Sequence, residues 1–180
     1  MNNIINQLRE NRLRAYDVLP KDIEEHYGIE QVVLAGGYGY RQVLELVQNG
    51  ADAILEAADS GAEQNDPPKI VVMLDGPFFY VANTGAPFSD EGMDAILRSH
   101  SSPKRGNQIG RFGLGFKSLL RLGGKIDIVS DDLAFGFDPD RCRKELKERY
   151  KVSDAPGLRL AWVLDEDRAV FLRNRFPWAT

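Results

Sequence analysis

The sequence predicts an α+β fold, a two-layer sandwich with a mixed, mostly antiparallel sheet and helices gathered on one face. Three observations carry this expectation. Segments with helical spacing alternate with short β-branched runs, a mixture that needs two layers to bury both kinds of apolar face. The strand-like runs come in neighbouring pairs separated by tight Asp and Gly turns, the signature of hairpins rather than of parallel crossovers. The chain has 180 residues, 43% of them apolar and 28% charged, enough for one compact core.

The elements follow in order. Residues 3–15 place Ile4, Ile5, Leu8 and Leu13 at helical spacing. A short helix is expected over 20–30, opening near Pro20, followed by a turn rich in glycine at Gly36, Gly37 and Gly39. The clearest helix runs from about Tyr40 to Asp59, and SGAEQNDPPK after it is a loop by composition. Ile70–Leu74 and Phe78–Ala82 flank Asp75, Gly76 and Pro77 and read as a hairpin. A turn at 83–88 and a short helix at 89–98 precede the polar stretch 99–111. A helix starting near Gly113 should stop at the Gly123–Gly124 pair. Strands are expected at 125–130, 133–137 and 158–164, with a charged helix at 139–150 opened by Pro139. The final FPWAT stops without a polar tail, so the expectation is a single domain over 1–180 cut from a longer multidomain protein.

Composition narrows the function classes. The net charge of −4 and pI near 5.3 disfavour a nucleic-acid surface on this domain, because phosphate binding needs clustered Lys and Arg. Cys142 is the single cysteine, which rules out an internal disulfide and suits a reducing compartment. No signal-peptide core and no membrane-length apolar run is present. The expected setting is the cytoplasm, away from membranes. His26 and His100 lack metal-ligand spacing and read as ordinary surface residues.

The strong helix carries a polar stripe. On a wheel of about 100° per residue, Glu45, Asn49, Asp52 and Glu56 share one narrow sector. Val43, Leu44, Val47, Ala51, Ile54, Leu55 and Ala58 gather opposite and are expected to face the core. The stripe is flanked by Leu46, Gly50, Ala53 and Ala57 instead of Lys or Arg, which sets it apart from a solvated face laced with i,i+4 ion pairs. A carboxylate and an amide one turn apart suit magnesium, since the amide oxygen is a hard ligand and the carboxylate can polarise a nearby water.

A second candidate is GRFGLGFKS over 110–118. Gly110, Gly113 and Gly115 permit close backbone approach to an anion, and a following helix would aim its N–H groups at it. The stretch is not a P-loop, because Phe116 intervenes before Lys117 and Ser118. It is not a dinucleotide fingerprint, because Ser118 stands at the third glycine. The other motifs of a protein kinase are missing from the chain. Taken alone, a plain helix-start turn explains it equally well.

The order of these parts resembles the GHKL ATPases, the group of gyrase, heat-shock chaperones, histidine kinases and MutL, whose fold is the Bergerat fold. Within it, RQVLELVQNGADAI and QIGRFGLGFKSLL look most like the N-terminal domain of the ninety-kilodalton heat-shock chaperone and the related sacsin repeat domain. The resemblance implies ATP and Mg2+ as cofactors. It makes Glu45 the base that aligns the attacking water, Asn49 the magnesium ligand, and Asp52 the acid near the nucleotide. Asn83 falls at the adenine-binding acid, followed by Gly85 in the same turn. Gly110, Arg111, Phe112, Gly113, Gly115, Phe116 and Lys117 match the phosphate-wrapping loop, and residues 89–112 the ATP lid. Thr180 matches a threonine on a late strand beneath the adenine. Two departures stand out: Asn83 replaces an aspartate, and Pro87 replaces a second glycine. An amide can still accept from an adenine amino group, but a neutral bond is roughly half as strong as a charge-assisted one.

Four functions follow for comparison. The first is slow ATP hydrolysis coupled to lid closure, with self-association through the lid and N-terminal segment or with other domains of the parent chain as partners. The second is a nucleotide-gated module without useful turnover. A histidine-kinase domain fits poorly, because such domains generally lack a base at Glu45. A motor for a DNA-handling or defence protein would use the same site without direct nucleic-acid contact. Lys117 either touches a phosphate or decorates its helix; Lys104, Arg105 and Arg111 either neutralise a γ-phosphate on lid closure or belong to a solvated loop.

Overall fold

The computed structural model describes residues 2–36, 41–61, 67–89, 92, 96 and 116–180, with side chains from residue 4 onward. Among these, the elements are α1 (Asn2–Val18), α2 (Asp22–Ala35), α3 (Gln42–Asp59), β1 (Ile70–Asp75), β2 (Phe78–Asn83), a 3₁₀ helix (Phe116–Leu122), β3 (Ile126–Ser130), β4 (Leu133–Phe137), α4 (Pro139–Tyr150), β5 (Trp162–Val163) and α5 (Glu166–Arg175). The class is α+β, as the alternating periods imply. The described strands form two small antiparallel sheets, β1–β2 and β3–β4–β5.

Local chemistry explains most boundaries. The β1–β2 turn contains Gly76 at φ 57, and the β3–β4 turn contains Asp131 at φ 49, a left-handed conformation that Asp tolerates. Asp138 caps α4 by accepting from the Arg141 N–H at 3.0 Å, Pro139 occupies the first turn, and Lys151 ends the helix in the left-handed region. Gly123 and Gly124, both with positive φ, stop the 3₁₀ helix where the glycine pair predicts.

Two clusters make the core. Ile5 from α1 packs with Phe135, Phe137, Leu158 and Ala161, and Leu13, Tyr16, Ile23, Cys142, Leu146, Ala155 and Leu160 form the other. The α1 residues that fall inside are those its helical spacing selects, apart from Tyr16.

Three expectations need correction. The strand expected over 158–164 pairs only at Phe135–Val163 and Gly136–Trp162. The N–H groups of Gly157 and Leu158 donate to the Glu30 carboxylate at 2.6 and 3.0 Å, so the chain bends there instead of joining a ladder. Helix α5 lies where no element is expected; its signals are the Asp165 cap, acids in the first turn and Arg173 and Arg175 in the last. Its weak apolar periodicity conceals it.

The third correction concerns α3. Its buried residues are Gln42, Gly50, Asp52 and Ala57, while Val43, Leu44 and Leu55 are 46%, 52% and 51% exposed. The helix turns its small-residue flank inward because that flank permits the closest approach to the hairpin. A Cβ on Gly50 would lie 3.1 Å from the Asn83 Cβ and 3.2 Å from the Ile70 Cδ1.

Candidate functional site

The site grows from that contact. Ile70 and Asn83 are opposite each other in the β1–β2 register, so both point to the face of the hairpin that α3 covers. The chain then leaves β2 along the helix surface. Gly85 sits at φ 131, and a Cβ there would meet the carbonyl carbon and oxygen of Ala53 at 2.6 and 2.7 Å. The Ala86 N–H donates to the Ala53 carbonyl at 2.9 Å. Only glycine satisfies both the backbone angle and the contact.

The same turn is held from two further directions. Thr84 is buried; its N–H donates to the Lys69 carbonyl, and its Oγ1 accepts from the Lys69 N–H, both at 3.0 Å. The Thr180 N–H donates to the Asn83 carbonyl at 3.1 Å. Residues leading to Thr180 are packed as well: Lys69 Nζ stands 3.8 Å above the Trp178 ring, and Phe176 stacks beside Tyr80 at 5.7 Å. The Asn83 side-chain amide donates through Nδ2 to the Thr84 carbonyl at 3.0 Å. In that orientation Oδ1 is the side chain's acceptor.

Of the residues singled out in the sequence, the structure therefore brings Asn83 and Gly85 against α3, with Thr180 hydrogen-bonded to Asn83. Along α3 itself, Glu45 is half-buried, Asn49 exposed and Asp52 buried. Glu45 belongs to the first turn, and its N–H donates to the Arg41 carbonyl at 2.8 Å. Among the described residues no three of His, Cys, Asp and Glu form a metal cage. Magnesium bound with a nucleotide needs only one or two protein oxygens, with phosphates and water completing its shell.

Two candidates lie elsewhere. Phe116 packs into the first core cluster, its ring 5.3 Å from Phe137. Lys117 is 1% exposed, so it does not decorate a helix surface. Burial pushes its ammonium group down to about 8, nearby Arg159 and Arg12 act in the same direction, and Glu30 opposes them. The element carrying both residues is a seven-residue 3₁₀ helix, too short for the anion-binding N-terminus expected of a longer helix. Gly110, Arg111, Phe112, Gly113 and Gly115, the lid cations and His100 lie outside the described residues. His26 is half-buried, with Nδ1 2.7 Å from the Tyr16 hydroxyl.

Sequence reasoning missed the interior network around Glu30. This carboxylate is 1% exposed and Arg159 is fully buried. Burial raises Glu30 above its ordinary value while the two backbone N–H bonds oppose the shift. The available signal was spacing: Glu30 is seven residues after Ile23 and three before Val33, on their buried helix face.

No described helix is long and apolar enough to cross a membrane. No family model matches the chain, and no solved structure does. Over 103 residues, 56% of its length, the chain is 30% identical to sacsin of Homo sapiens, of which the match covers 2%. The chain is thus similar to a short stretch of a very large protein, and the relationship the comparisons support is a sacsin-like one.

Proposed function

We propose that this domain binds ATP with magnesium and hydrolyses it slowly, in the manner of the GHKL ATPases it resembles. The observation that carries the reading is the convergence of three sequence-distant segments. The Asn83 turn packs on Gly50 and Ala53 of α3 and accepts a backbone hydrogen bond from Thr180, and the same helix bears Glu45, Asn49 and Asp52. In this reading Asn83 Oδ1 accepts from the adenine amino group, and Asn49 supplies a metal-ligating oxygen. Glu45 orients the attacking water, with Asp52 beside the nucleotide. Magnesium offsets charge on the phosphates when bound. The glycine-rich segment with Arg111, Phe112 and Lys117 takes its phosphate-binding role from the resemblance alone. Lid closure coupled to self-association or to neighbouring domains, and a cytoplasmic setting, belong to the same proposal.

Calorimetry with Mg-ATP beside a phosphate-release assay tests it. The wild type should bind and release phosphate, Asn49→Ala should lose magnesium-dependent binding, and Glu45→Ala should bind with release reduced roughly a hundredfold. Failure of the wild type to bind Mg-ATP defeats the reading. Binding without any release selects a second one, a nucleotide-gated module. The neutral amide of Asn83 favours that alternative, since it weakens adenine recognition relative to a carboxylate.

A further inference from the structure

Helix α3 begins after Arg41. Arg41 occupies the N-cap position in a helical conformation and supplies no capping bond from its side chain. The first N–H groups of a helix have no partners within it, and this first turn is the one that carries Glu45. Helix α2 ends with a related deficit, having no basic residue in its last turn to meet the exposed carbonyls.

The 3₁₀ helix answers both. Arg121 Nη1 donates to the Leu34 carbonyl at 2.8 Å and to the Gly36 carbonyl at 3.3 Å, placing a cation on the C-terminus of α2 from 87 residues away in sequence. On the other side Gln42, the first residue of α3, donates through Nε2 to the Ser118 carbonyl at 3.4 Å. Gln42 and Ser118 are both buried, so this long bond is shielded from competing water. One short element thereby grips α2 where it ends and α3 where it starts, on either side of residues 37–40.

We infer that Gln42 and Arg121 are positioning residues that hold the first turn of α3, and with it Glu45, in fixed relation to the 3₁₀ helix that follows the glycine-rich segment. The inference rests on the ATPase reading for its catalytic consequence, and on the two side-chain clamps for its structural one. Neither residue touches the nucleotide in this account. Their effect should fall on turnover and not on affinity, because a displaced Glu45 misaligns water without removing binding contacts.

The test uses Gln42→Met, which keeps volume and removes the donor, with Arg121→Ala and Arg121→Lys. Mg-ATP affinity should stay within about twofold of the wild type while phosphate release falls about tenfold in Gln42→Met and Arg121→Ala, and Arg121→Lys should recover part of the loss. Without nucleotide, hydrogen exchange at amides 45–48, the first that are bonded within the helix, should accelerate about tenfold in the first two variants. Unchanged release and exchange overturn the inference. So does a loss of affinity parallel to the loss of release, which would mark general unfolding. A wild type that neither binds nor hydrolyses ATP defeats the nucleotide reading instead, and the exchange measurement then decides the clamp by itself.

Discussion

The Asn83 turn and the Glu30 network are both buried against helices, and they are held by opposite means. The first relies on the absence of atoms. Gly50 and Gly85 let one backbone lie on another, and the polar groups involved are uncharged: backbone amides, the Thr84 hydroxyl and the Asn83 side-chain amide. The second relies on charge. Glu30 accepts two backbone hydrogen bonds in an interior that also contains Lys117 and Arg159. Shape tolerates a change of pH and fails on adding a methyl group. A buried charge network tolerates little loss of charge, because each group removed leaves the others desolvated without compensation.

The largest effect should come from Glu30→Ala. It strips the acceptor from the Gly157 and Leu158 N–H groups and leaves the Lys117 and Arg159 charges without the carboxylate that opposes their burial. Breaking such an arrangement costs about 3–5 kcal/mol, so urea unfolding should show a midpoint far below the wild type or no folded baseline. Glu30→Gln, which keeps an acceptor oxygen, should lose less. Equal stability of wild type and Glu30→Ala would show that this region is held by packing, as the Asn83 turn is.

Adding one methyl group should distinguish the regions from the other side. Gly85→Ala forces a Cβ to within 2.6–2.7 Å of the Ala53 and Ile54 backbone at a φ of 131, and neither helix nor turn can give way cheaply. Overpacking and backbone strain together suggest about 2–4 kcal/mol. Gly123→Ala is the control: its φ is also positive, at 71, but nothing lies within 4 Å of the added atom, so only the backbone term of about 1–2 kcal/mol remains. Matching thermal shifts for the two would mean that the Gly85 contact relaxes and that shape does not define the site.

The two regions also differed in how far the sequence disclosed them. The Asn83 turn was legible as a turn over 83–88 in which the resemblance singles out Asn83 and Gly85, and the stripe of Glu45, Asn49 and Asp52 set α3 apart from an ordinary solvated helix. What the sequence could not disclose is which flank α3 buries. In its largest apolar sector Val43, Leu44 and Leu55 are exposed and none is fully buried, and the inward flank was chosen by contact with a hairpin 20 residues and more away in the chain. Hydrophobic periodicity ranks faces by transfer energy and is blind to the close approach that Gly50 allows. The Glu30 network was hidden for a related reason. A glutamate on a helix reads as solvent-facing unless the N–H groups that receive it, here those of Gly157 and Leu158, are already known. The burial of Lys117 was hidden because it follows a glycine-rich stretch in sequence, while the charged side chains near it in space come from α1, α2 and the segment after α4.

The smallest effect is a dependence on pH confined to the charged region. Lys117 titrates near 8 in the folded chain against an ordinary 10.5. A lowered folded value means that the unfolded chain binds the proton more tightly, so stability rises with pH between 8 and 10.5 and is lost again as pH falls through 8. The groups facing the amine are Arg159, Glu30 and Arg12: the two cations favour loss of its proton and the carboxylate opposes it. Raising the pH from 8 to 9.5 should therefore add about 1–2 kcal/mol to unfolding stability. Lys117→Met should flatten that rise, while Gly85→Ala should leave its slope unchanged despite a lower midpoint. If both variants keep the wild-type slope, the ammonium group of Lys117 is solvated in the folded protein, and the interior network loses one of its charges.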